Sequence, residues 1–150
     1  MVRVVIELSA FVHSTEEEEK VVSALLNAVP AELRSFLTHQ VKRQNLEGYY
    51  GNVIKLVKLS VGRNAASSVL KHVLCSMSKT DREILLNTLG SRVESRRARL
   101  HIRLSKQDLY LGKVVLSEGS DVIKLVASFE GVHRVDLSKV LMEIGETCGS

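Results

Sequence analysis

The stretch "RRARLHIRLSK", residues 96–106, decides how this chain folds. Successive side chains of a β-strand point to opposite faces, and the stretch sorts cleanly under that rule. Ala98, Leu100, Ile102 and Leu104 share one face. Arg97, Arg99, His101 and Arg103 share the other, with Lys106 just beyond. One face suits a core; the other suits water or an anion. Such a strand belongs in a sheet covered on one side and open on the other, the habit of antiparallel sheets.

The neighbouring segments repeat the pattern. In "DVIKLVASF" (121–129), Ile123, Leu125, Ala127 and Phe129 point one way, Lys124 and Ser128 the other. In "RVVIELSAFVH" (3–13) the core face is Val4, Ile6, Leu8, Ala10 and Val12, which leaves Phe11 on the outer face with Val5, Glu7, Ser9 and His13. Strand-like runs near 36–46 and 53–61 flank "GYYGN" (48–52), whose Gly and Asn tolerate positive φ, so a hairpin is expected. Lys42 and Arg43 add charge to its first strand.

Helices fill the intervals. Residues 14–29 carry a Ser14–Glu17 capping-box pattern, and Glu16–Glu19 sit at the positive end of the helix dipole. That placement explains the acidic run without a metal. Val21, Val22, Leu25, Leu26 and Val29 form its buried stripe, and Pro30 ends it. Residues 63–77 read as a second helix capped by Asn64, and 78–90 as a third, with Ser78 or Thr80 as cap and Gly90 as stop. Residues 113–131 read as a β-turn-β unit around Glu118–Gly119, and 135–145 as a final helix capped by Asp136. The order β-α-β-β-α-α-β-β-β-α implies an α+β fold, a largely antiparallel sheet with helices packed on one face. No repeat or long linker divides residues 1–150, so one domain is expected.

Composition sets the functional class. Hydrophobic residues make up 45% and charged residues 25%, enough for a core without staples. The net charge of +4 hides an asymmetry: residues 1–33 carry −4, residues 34–106 carry +11, and residues 107–150 carry −3. A positive middle rich in arginine is the footprint of an anion-binding surface. Cys75 and Cys148 match no zinc or redox spacing. Cys75 on an apolar stripe is expected to be a buried thiol and Cys148 an exposed one. No secretory signal opens the chain and no apolar run is long enough to span a bilayer, so an intracellular, cytoplasmic protein with reduced thiols and no membrane contact is expected.

Catalysis is not expected. The carboxylates of the basic segment, Glu47, Asp81, Glu83 and Glu94, are scattered, whereas a metal-dependent nuclease needs them clustered. The five histidines form no H-x-H or H-x-x-x-H pair, and no glycine-rich phosphate loop is present. No cofactor and no metal are implied.

Three segments, "FVHSTEEEEKVVSALLN" (11–27), "EGYYGNVI" (47–54) and "IRLSKQDLYLG" (102–112), resemble an archaeal family of predicted RNA-binding proteins. The family's patterns run approximately F-x-H-A-T-E, G-H-Y-G-N-P-I and L-R-x-x-K-Q-x-x-Y-L-G, and the resemblance covers about residues 1–130 in order. Tyr49 stands where the family has His and Val53 where it has Pro, and Asp108 and Leu109 replace a small pair. The helix at 135–145 lies outside the resemblance. It implies a fold like that of the ribosomal protein that binds 5S RNA, and a partnership with the RNA-degrading exosome. The expected partner is RNA, held by Arg97, Arg99, His101, Arg103, Lys106, Lys124, Lys42 and Arg43, with Tyr49 and Tyr110 stacking on bases. The alternative is an adaptor or homodimeric subunit whose basic face meets an acidic protein or a second copy.

Overall fold

The computed structural model describes residues 3–48, 51, 53–94, 97–131 and 136–148. In chain order the elements are β1 (Arg3–Val12), α1 (Glu18–Leu26), α2 (Ala31–Leu37) with a following 3-10 turn (Thr38–Gln40), β2 (Lys42–Glu47), β3 (Val53–Val61), α3 (Arg63–Ser76), α4 (Lys79–Asn87), α5 (Leu89–Arg92), β4 (Arg99–Ser105), α6 (Lys106–Tyr110), β5 (Val122–Glu130) and α7 (Leu137–Glu146). The five strands form one antiparallel sheet in the order β2-β3-β1-β5-β4. The fold is α+β.

The alternation in sequence becomes two unlike faces. On the inner face Leu59, Leu8, Leu125 and Ile102 stand in register across four strands, all fully buried. Each such side chain contributes about 1.5–3 kcal/mol by leaving water. The stripes of α1 (Val21, Val22, Leu25) and α3 (Ala66, Val69, Leu70, Val73) join the same core. In turn α7 buries Leu137 and Leu141, and a disulfide between Cys75 and Cys148 fastens its end to α3. This overturns the expectation of two free thiols. At a separation of 73 positions the pair is invisible in sequence, but docking of α7 brings their Cα atoms to 5.3 Å, within disulfide range.

Several local expectations are also corrected. The first helix starts at Glu18, not Ser14; the side chain of its N-cap, Glu17, makes no capping bond, and Glu16 Oε1 instead accepts from the His13 amide at 2.9 Å. Residues 31–40, read partly as strand, are helical because Pro30, with φ near −53°, leads directly into a new helix. Gly62 rather than Asn64 is the N-cap of α3, and Gly90 lies inside α5. Ser78 does cap α4, its hydroxyl accepting from Asp81 N. The basic strand is shorter than residues 96–106 and stops at Ser105, whose hydroxyl caps α6. Of the strand expected near 113–116 only one bridge, Leu104 to Leu116, is made; the Leu116 amide donates to Asp81. Among the described residues no helix is long and apolar enough to cross a membrane.

Candidate nucleic-acid interface

The outer face of the sheet carries a row that no single segment reveals. Strand register places Lys42 opposite Lys58, Lys58 opposite Ser9, Ser9 opposite Lys124, and Lys124 opposite Arg103. Four cations and one serine therefore line up across all five strands. Two like-charged pairs, Lys42–Lys58 and Lys124–Arg103, face each other directly, an arrangement that destabilises a sheet. Lys58 has Glu7 at 3.6 Å, and Arg103 Nη2 donates to the Gly119 carbonyl. Lys42 and Lys124 meet no carboxylate among the described residues.

The other basic residues of β4 are more committed. Arg99 Nε and His101 Nε2 both lie 3.2 Å from Glu94 Oε2. The hydrogen bond from His101, together with the charges of Arg99, His101 and Arg97, holds the Glu94 carboxyl below its ordinary range against the opposing effect of burial. Arg99 and His101 border a depression of about 460 Å³ on the open face, floored by Val5, Val126 and Ser128 and edged by Glu7 and Ser60. Arg97 is exposed just before the strand begins. Phe11 stands on this face too, 44% exposed and paired with Leu56.

A family model described as RNA binding matches residues 5–129. The chain belongs to this RNA-binding family. A protein of Pyrococcus abyssi named as an RNA-binding protein is 36% identical over 120 residues, covering 79% of this chain and 76% of that protein. An uncharacterised protein of Methanocaldococcus jannaschii is 32% identical over 134 residues, covering 83% of each. The crystal structure of a protein from Archaeglobus fulgidus superposes with a TM-score of 0.77 at 27% identity, covering 96% of this chain and 99% of that one.

Past Arg103, the segment resembling the RNA-binding family serves the fold rather than the open face. Lys106 is 3% exposed and cannot reach a phosphate. Its ammonium donates to the Phe11 carbonyl at 2.8 Å and to Glu16 Oε1 at 3.0 Å, and Asp121 Oδ1 lies 2.9 Å away as an ion pair. Gln107 donates to Asp121 Oδ2. Burial pushes the Asp121 carboxyl up, but the Lys106 ammonium and Gln107 amide together hold it below its ordinary range. His13, Glu16 and Asp121 offer ligand atoms within 4.8 Å of one another, yet the Lys106 ammonium already supplies the positive charge between the two carboxylates. Gly112, at φ +85°, ends α6 in a conformation glycine adopts freely.

Two further candidates leave the site. Arg43 pairs in register with buried Val57, so it lies on the helix side, where Glu18 and Glu19 hold it at 2.8 and 3.1 Å. Its own charge and hydrogen bond, with Lys55, keep Glu18 below its ordinary range despite burial. Tyr110, 42% exposed, lines a groove with Thr15, Glu17 and Lys20 beside α1, again away from the open face. Tyr49, with Tyr50, lies outside the described residues. The residues that sequence reasoning left out of the basic site, Lys58 and Ser9, each had the right alternation in their own strand. Their alignment with Lys42, Lys124 and Arg103 depends on register, which no local pattern encodes.

Proposed function

We propose that this chain is a non-catalytic, single-domain RNA-binding protein that holds the sugar–phosphate backbone against the open face of its sheet. The observation that carries this reading is the cationic row. Charge on the edge strands β2 and β4 has another use, since it discourages edge-to-edge pairing. That use does not extend to Lys58 and Lys124, which sit on inner strands. Two direct like-charge pairs cost stability unless a polyanion lies across them. Phosphate contacts position without reading sequence, so selectivity should be low. Membership in the RNA-binding family and the printed name of the Pyrococcus relative support RNA as the anion. The resemblance to exosome-associated proteins supports a cytoplasmic accessory role in RNA processing or degradation.

The test is fluorescence anisotropy of a labelled RNA at several salt concentrations, on wild type and an Arg103→Gln, Lys124→Gln double variant of confirmed fold. If all four cations of the row neutralise phosphates of a single strand, log K against log salt should slope at about −3, and the double variant should flatten it by about 1.4. A wild type that ignores RNA but binds an acidic protein or itself would replace this reading with the adaptor. A double variant indistinguishable from wild type would move the site off this face.

A further inference from the structure

The cationic row has different neighbours on its two sides. Toward the β2–β3 turn the next row is Gln44, Leu56 and Phe11, in register. One step further out Leu46 faces Ile54. Apart from Gln44 this flank is apolar, and Phe11 is its exposed ring. Toward the other end lie Ser60, Glu7, Val126 and His101, in register. There Glu7 and Glu94 place carboxylates beside the depression.

We infer that the ligand is a single RNA strand crossing the sheet perpendicular to its β-strands, with phosphates on Lys42, Lys58, Lys124 and Arg103 and bases turned toward Phe11 and Leu56. The inference rests on the RNA reading above and adds the strandedness, path and base side. Neighbouring strands lie about 4.8 Å apart, so five aligned positions make a line of roughly 19 Å. A single line of cations follows one backbone; a duplex presents two, and its second would meet Glu7 and Glu94 or the apolar flank. A phenyl ring standing on an open sheet can stack only on a base that is not paired and buried in a helix. The Ser9 hydroxyl, between Lys58 and Lys124, offers a neutral hydrogen-bonding group where a fifth cation would add further repulsion.

The experiment compares a labelled oligouridylate with a blunt RNA duplex of equal length. Phe11 is half-exposed, so Phe11→Ala should leave the fold intact, and Phe11→Trp keeps a ring as a control. Phe11→Ala should weaken the single strand about tenfold at an unchanged salt slope, leave the duplex unaffected, and be rescued by Trp. Lys124→Gln should instead flatten the slope by about 0.7. If Phe11→Ala is silent while Lys124→Gln still flattens the slope, the base side is wrong and the open-face reading survives. Tighter binding of the duplex than of the single strand also overturns the inference. If neither variant has an effect, the open face is not the site at all.

Discussion

The joint around Lys106 and the row around Lys124 both concentrate positive charge, with opposite results. Lys106 is buried where the end of β1, the 13–16 turn and α6 meet, and two carboxylates and a carbonyl surround its ammonium. Lys124 stands on the open face with a cation opposite it and no carboxylate among the described residues. The first holds the molecule together; the second weakens it slightly in order to remain available. Counting charges along a sequence cannot separate the two, because availability depends on what lies across the side chain.

The comparison breaks most directly at Lys106. Lys106→Gln leaves Glu16 and Asp121 without their cation, and should cost about 2–3 kcal/mol, somewhat less than a fully enclosed pair because Asp121 is partly exposed. Lys124→Gln should change stability by less than about 0.5 kcal/mol, in either direction, while weakening RNA binding. Urea unfolding of both variants decides this, and equal losses would erase the distinction.

Next in size is the fastening of α7. Cys148→Ser, or reduction of the wild type, should lower stability by roughly 2 kcal/mol. RNA affinity should not change, since α7 packs on α3 behind the covered face. A loss of RNA binding on reduction would show that the two sides of the molecule are coupled.

The smallest effect sharpens the contrast through pH. Because Asp121 titrates lower in the folded than in the unfolded chain, its contribution is present above the ordinary aspartate range and is lost as pH falls through that range and below. Unfolding free energy measured on acidification should therefore drop in that window for wild type and Lys124→Gln alike. In Lys106→Gln this part of the drop should be reduced, since the cation that lowers the carboxyl is gone. An unaltered acid limb in Lys106→Gln would mean that Asp121 draws its shift from elsewhere.

Much of this was legible beforehand, and the gaps have physical causes. Of the two caps the sequence offered for α4, Ser78 and Thr80, Ser78 is the one used, and both were visible because capping is a bond between residues three apart. The helix over 31–37 was missed, and its end from Phe36 read as strand, because a short amphipathic run after a proline carries too few turns for its period to show. Lys106 was taken for a phosphate ligand because it follows the basic strand directly; alternation carries the outer face from Arg103 to Ser105, and the chain turns into α6 at Lys106 and buries it.

By itself the sequence determined which residues of the first strand and of the strands at 99–105 and 122–130 face the core, that the fold is α+β with one face of the sheet open, and, through its resemblance, the RNA-binding family. These depend on alternation within a strand and on short motifs, both local. Only the tertiary structure decided that Lys42, Lys58, Lys124 and Arg103 form a line, that Lys106 is buried in an ion cluster, and that Cys75 and Cys148 join. Those facts are set by the register and docking of segments far apart in the chain, where the balance of packing over the whole core, and not any local preference, fixes which side chains meet.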